Sequence, residues 1–187
     1  MIGVRKTIEV ITNVAILVVC GLLCWSLLVH KSLRFGATDE IGDQEAHLIG
    51  QTLPTLPGHS WDGHSPTLVL AIRKGCHFCE QSLPFYKQLG DLEKSNNLHA
   101  HVLAVMPDDR ASGTSILQSG GVAVDGVFNQ KLDSMKVTGT PTLLLLDANG
   151  RVARAWIGQL TARREKEVIA AAQECLPGRS CATEVAQ

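Results

Sequence analysis

The feature that most restricts how this chain can fold is a short apolar run that ends in a pair of cysteines. Thr67 to Arg73 reads TLVLAIR, and Gly75 stops it. A run without polar alternation suits a strand buried on both faces, which needs packing layers on each side of a sheet. Directly after it, Cys76-His77-Phe78-Cys79 opens a stretch in which Leu83, Tyr86, Leu89 and Leu92 recur at helical spacing. The same alternation continues. His99 to Met106 reads as a second strand, Ser112 to Ser119 as a helix, Gly121 to Val127 as a short strand and Asn129 to Met135 as a short helix. Thr142 to Leu146 is a third main strand. Asn149-Gly150 marks a hairpin that returns Val152 to Ile157, and Thr161 to Cys175 is a final helix that Thr161 can cap. This order predicts an α/β domain, with a mixed central sheet covered by helices on both faces.

Composition excludes several classes. The 187 residues carry 17 basic and 18 acidic side chains, for a formal net charge of −1. That balance gives no electrostatic footprint for nucleic acid. Apolar residues at 45% and charged residues at 19% rule out a wholly disordered chain. Six cysteines are too few for a disulfide-dense miniprotein of this length.

Val10 to Val29 contains no charged residue. Twenty helical residues span roughly 30 Å, the hydrocarbon thickness of a bilayer. Arg5 and Lys6 precede the run, and His30, Lys31 and Arg34 follow it. Residues 1–36 are therefore expected to be a single-pass membrane anchor, residues 37–51 a linker and residues 52–187 the folded domain. The alternative is a cleaved secretory signal. Against it stand the length of the run, the basic residues that follow and the lack of an A-x-A cleavage site. Flanking charges nearly tie under the positive-inside rule. The short leading tail resembles a signal anchor, which places the domain on the periplasmic, extracytoplasmic side of the cytoplasmic membrane. Cys20 and Cys24 are read as small apolar fillers of that helix.

The Cys76-x-x-Cys79 pair falls where a strand turns into a helix. Cysteines three apart on a first helical turn can form a disulfide. A sulfur at a helix N-terminus faces unpaired N–H groups, which favour the thiolate that attacks disulfides. Cys76 is the expected nucleophile and Cys79 the resolving sulfur, with His77 placed to favour the Cys76 thiolate when protonated. The alternatives are half a zinc site or an inert disulfide. There is no second CxxC. His59 and His64 fall in a turn region, and His99 and His101 read as ordinary strand residues, so no metal is assigned. Two prolines add to the pattern. Pro84 follows Cys79 by five residues inside the helix, and Pro141, in Gly139-Thr140-Pro141-Thr142, stands at the start of a strand. A proline there suggests special geometry, a cis bond among the options.

With Cys76, Cys79, Pro84 and Thr140-Pro141 in this order, the chain resembles the thioredoxin superfamily over about Thr52 to Ala172. The stretch from Val137 to Val152, with Gly158 after it, is similar to the tethered TlpA- and ResA-type thiol–disulfide oxidoreductases. So is Ile49-Gly50-Gln51 with Leu53-Pro54. The resemblance implies that Pro141 is a cis-proline packed against the disulfide, and that Thr140 pairs its backbone with an extended substrate segment. It also departs from the family. Gly75 replaces the usual tryptophan before the first cysteine, so an aromatic lid is missing or comes from elsewhere, Trp61 being a candidate. Leu70 occupies the place of thioredoxin's buried acid, leaving Glu80, Lys74 or water to serve Cys79. His77-Phe78 is unlike the common reducing dipeptides, and the direction of electron flow stays open.

Cys175 and Cys181 flank Leu-Pro-Gly-Arg-Ser and are read as a structural disulfide, with a second redox pair as the alternative. The expected function is disulfide exchange with protein cysteines from a membrane tether, recharged by a membrane or extracytoplasmic electron-transfer partner, with cytochrome c maturation as the commonest role the resemblance implies. No cofactor is expected. Two rival functions are a peroxiredoxin-like peroxidase, which lacks a Thr-x-x-Cys before Cys76, and a copper-binding module whose CxxC holds Cu(I).

Overall fold

The structure is a computed structural model that describes residues 15–26, 40–61, 63–176 and 181. Residues 15–26 form an exposed helix. Among the described residues no helix is long and apolar enough to cross a membrane. The rest of the expected 10–29 span lies outside the described residues.

One compact unit of the chain begins at Gln44. Its first helix, α1 (40–48), begins just before that boundary. Five strands follow in one sheet: β1 (Thr67–Ala71), β2 (His101–Met106), β3 (Gly126–Asn129), β4 (Thr142–Leu146) and β5 (Val152–Ile157), in the spatial order β3-β2-β1-β4-β5. β2 is parallel to β1 and β3, whereas β4 runs antiparallel to both β1 and β5. The helices are α2 (His77–Gln81), α3 (Leu83–Lys94), α4 (Arg110–Ser119) and α5 (Ala162–Glu174), with a 3₁₀ turn at Leu132–Met135. The mixed α/β architecture is the one the alternation predicts.

Every residue of β1 is buried, as its unbroken apolar run requires. Alternate side chains enter two cores. Leu68 and Leu70 join Leu143, Leu145 and Trp156 beneath Phe85, Tyr86 and Leu89 of α3 and Val168 and Ala172 of α5. Val69 and Ala71 face the other way, with Leu144 and Leu146, toward Leu48 of α1, Leu53, Leu56, Leu132 and Met135. Each fully buried Leu contributes about 1.5–3 kcal/mol. The second face is thus covered mainly by the segment that leads into the domain and by a 3₁₀ turn.

Local chemistry accounts for the differences from the sequence reading. The expected helix from Cys79 to Leu92 is two helices, because Pro84 has no N–H and sits in the first turn of α3. Ser82 links them: its N–H donates to the Phe78 carbonyl (3.1 Å) and its hydroxyl to the same oxygen (2.8 Å). α4 begins two residues earlier than expected, since the Asp109 carboxylate accepts the Ser112 N–H at 2.9 Å. That bond and the Ser112 hydroxyl hold the Asp109 carboxyl below its ordinary value. The third parallel strand is Gly126–Asn129, later than the expected Gly121 to Val127. Its register is set by Leu103 opposite Gly126 and Met106 opposite Asn129.

β2 begins at His101, and His99 is exposed outside it, so the two histidines do not share a strand face. The Val102 N–H donates to Glu93 Oε1 of α3 at 2.8 Å, tying α3 to the start of this strand. Burial and the neighbouring Asp125 carboxyl push the Glu93 pKa up to about 8, against the pull of that N–H. The folded chain therefore holds a proton on Glu93 that the unfolded chain releases above its ordinary carboxyl pKa. The stabilising contribution is complete below about pH 4.3, the usual Glu value, and is lost as pH rises through about 8. Denaturation midpoints are expected to fall over that window in the wild type. Glu93→Gln, which keeps an oxygen for Val102, should flatten the slope; an unchanged slope would show that another group is responsible.

Candidate active site

The strand register assembles the site. Ala71, the last residue of β1, lies opposite Val105 of β2 and Thr142, the first residue of β4. The loop after β1 and the loop before β4 therefore emerge at the same end of the sheet. The first carries Cys76 and the second carries Thr140 and Pro141, 64 residues later for the Cys76–Thr140 contact.

Gly75, with φ of +69°, turns the chain out of β1 in a conformation a side chain would strain. The Asp108 carboxylate, from the loop after β2, accepts the Lys74 N–H at 2.8 Å and steadies the approach to the cysteines. Cys76 is then the N-cap of α2, and its Sγ accepts the Cys79 N–H at 3.2 Å. The Cα atoms of Cys76 and Cys79 are 5.2 Å apart and their sulfurs are joined as a disulfide. Cys76 is partly exposed, whereas Cys79 is 1% exposed within the core beneath α3 and α5. One sulfur therefore faces solvent and the other lies behind it.

The Thr140–Pro141 peptide is cis, one of the options its sequence position suggests. Cys76 Sγ lies 3.5 Å from both the carbonyl oxygen and the hydroxyl of Thr140. The loop is closed from within by the Thr142 hydroxyl, which donates to the Gly139 carbonyl at 2.9 Å. It is held from β5 by the Gly158 N–H, which donates to the Pro141 carbonyl at 2.7 Å.

His77 and Phe78 are exposed, with ring centroids 5.8 Å apart, and Phe78 keeps 55% of its surface open beside the disulfide. Trp61 does not supply a lid. Its indole N–H donates to the Leu53 carbonyl at 3.2 Å, and its ring packs on Gly150 in the β4–β5 turn, at the opposite end of the sheet. Leu70 is fully buried, as a side chain in the middle of β1 must be, and leaves no carboxylate at that place under the cysteines. Among the described residues, the three metal-ligating groups that come together are Glu93, His101 and Asp125. Their ligand atoms lie within 4.8 Å of one another, at the start of β2 and away from Cys76. His101 Nδ1 and Asp125 Oδ2 already form a hydrogen-bonded pair at 2.7 Å. Cys175 and Cys181 are joined, with Cα atoms 4.8 Å apart at the end of α5. Asp108 escaped the sequence reading, because a carboxylate that accepts a backbone N–H carries no motif. Gly158 entered that reading only as part of the resemblance, without the bond its N–H makes here.

Residues 62–173 match the thioredoxin-like domain family, and the chain belongs to it. Among solved structures it is similar to a proposed protein disulfide isomerase from Bacteroides thetaiotaomicron, at 15% identity and a TM-score of 0.54 over 68% of this chain and 89% of that one. A thiol:disulfide interchange protein from Bacteroides sp. aligns at 17% identity and a TM-score of 0.51, over 66% and 90%. A proposed thiol:disulfide interchange protein DsbE from Chlorobium tepidum aligns at 21% identity and 0.52, over 67% and 97%. No curated protein matches by sequence. At these identities the likeness establishes the fold. The neighbours' own descriptions are consistent with a protein disulfide oxidoreductase.

The Thr140 hydroxyl is placed to donate to a Cys76 thiolate when the pair is reduced. One hydrogen bond is worth about 0.5–1.5 kcal/mol, or roughly 10–30 mV for a two-electron couple. Thr140→Val should lower the reduction potential by that amount, measured against glutathione; a rise would show that the hydroxyl favours the disulfide.

Proposed function

We propose that this protein is a thiol–disulfide oxidoreductase that exchanges disulfides with protein cysteines while tethered to a membrane. The observation that carries the reading is the placement of an accessible Cys76 sulfur over a buried Cys79, beside the Thr140–Pro141 backbone. In the reducing direction, the Cys76 thiolate attacks one sulfur of a substrate disulfide, and the other substrate sulfur leaves as a thiolate. Cys79, deprotonated, then attacks Cys76 Sγ and releases the second substrate sulfur. Two electrons pass to the substrate and the Cys76–Cys79 disulfide remains. The oxidising direction is the reverse, and the potential of the pair against its partners selects between them. Thr140, with its carbonyl beside Cys76 Sγ, is the backbone position for strand-like pairing with an extended substrate. Exposed Phe78 offers an apolar contact next to the attacking sulfur.

The tether is the uncharged run Val10 to Val29, within which residues 15–26 are helical. It places the domain on the extracytoplasmic face of the cytoplasmic membrane, where a membrane-borne electron donor can recharge it. Tethering raises its effective concentration toward such a partner. Reduction of apocytochrome c cysteines is the pathway that the resemblance to TlpA- and ResA-type proteins favours.

The test is trapping. In membranes from cells expressing the full chain, Cys79→Ser should accumulate adducts with protein partners that collapse on adding dithiothreitol. Cys76→Ser should accumulate none. The chain should stay in the membrane pellet after alkaline carbonate extraction. Adducts equally abundant in both variants, or absent from both, would defeat the exchange reading; release into the carbonate supernatant would defeat the tether.

A further inference from the structure

Helix α1 lies outside the stretch matched by the family, yet it bonds to the end of the sheet that carries the cysteines. Glu45 Oε1 accepts the Ile157 N–H at 2.7 Å, and Glu45 Oε2 accepts Arg164 Nη2 at 2.7 Å. Gln44 Oε1 accepts the Thr138 hydroxyl at 3.2 Å.

Ile157 ends β5, an edge strand, and pairs with Thr142 of β4. Its N–H points outward, where no strand follows, and Glu45 takes it. The next residue, Gly158, donates to the Pro141 carbonyl. A continuous series of bonds thus runs from Glu45 through the end of β5 to the loop against Cys76. Gln44 holds the same loop from its other side, two residues before Thr140. At the far end of β5 the same segment closes the edge again: the Gly50 N–H donates to the Val152 carbonyl and the Val152 N–H to the Gln51 carbonyl.

We propose that Glu45 is a positioning residue for the thiol exchange of Cys76, fixing the catalytic end of β5 and, through Gly158 and Pro141, the loop whose Thr140 backbone a substrate segment pairs with. Charge decides why Glu45 rather than Gln44 dominates. A carboxylate accepting two N–H groups makes bonds about twice as strong as neutral ones, and its side chain is only 14% exposed. Its loss leaves Ile157 N–H at a sheet edge and Arg164 at 30% exposure, both within reach of water. The damage is therefore local and the fold survives. The proposal rests on the exchange reading, and it concerns extended substrates: a small disulfide needs Cys76 but no backbone pairing.

The experiment uses the reduced full chain and two probes, an unstructured disulfide-linked peptide and 2,2′-dithiodipyridine, with conversion of Cys76 and Cys79 to their disulfide followed in time by mass spectrometry. Glu45→Ala should slow attack on the peptide about tenfold, the scale of a modest misplacement. It should leave the small reagent unchanged. The Gly158 amide should exchange with deuterium about tenfold faster, with Val105 in the sheet interior unaffected. Glu45→Gln, which keeps an acceptor for Ile157, should stay within about threefold of wild type for the peptide, on the same scale. Wild-type peptide rates in Glu45→Ala, or equal slowing with both probes, would overturn the proposal. If reduced wild type reacts with neither probe, the exchange reading itself fails, and unchanged Gly158 protection in Glu45→Ala would independently show that Glu45 holds nothing.

Discussion

The pairing of β1 with antiparallel β4 is the constraint on which the site depends. Ala71 opposite Thr142 brings the end of one strand beside the start of another, although 70 residues of chain separate them. A slip of one residue would turn Leu143, Leu144 and Leu145 to the wrong faces and carry Thr140 away from Cys76. The register is costly to break because both strands are buried throughout, with apolar partners in two separate cores. Stability and chemistry meet at this point: the interior that holds the sheet also sets the contact between a sulfur and a backbone loop.

The asymmetry of the two cysteines follows from the same geometry. Gly75 lifts the chain off β1 and Cys76 caps a helix, so its sulfur stands at the surface. One turn on, Cys79 points back into the core with Leu70 and Tyr86. The proposed exchange needs this difference in exposure, with an outer sulfur to meet the partner and an inner one to resolve the intermediate. Leu70 makes the core beneath them apolar, and the Tyr86 hydroxyl, buried there, has its pKa raised by desolvation.

Much of this was legible before any coordinates. The unbroken run at Thr67 to Arg73 betrayed a strand buried on both faces, and the CxxC with its two following prolines marked the fold and the candidate site. Helix α5 could be placed almost to the residue, because Thr161 is a cap with a clear pattern after it. Three kinds of feature were not legible. Pro84 split a helix that apolar spacing alone drew as continuous. Trp61 was assigned by residue type, whereas its indole N–H had to find a carbonyl, and Leu53 at the other end of the sheet provided it. Glu45, Asp108 and Gly158 bind backbone atoms 112, 34 and 17 positions away, and spacing carries no trace of such bonds. The polar stretch around Glu45 read as linker because a helix that seals a sheet edge needs only one buried face, here Leu48.

The most direct measurement is equilibration of the full chain in glutathione redox buffers of graded potential, followed by alkylation and mass spectrometry at each cysteine. Cys76 and Cys79 should change state together in one reversible two-electron step, while Cys175 and Cys181 stay joined across the range. A pair that never reopens, or two sulfurs that titrate separately, would contradict a working couple at this site.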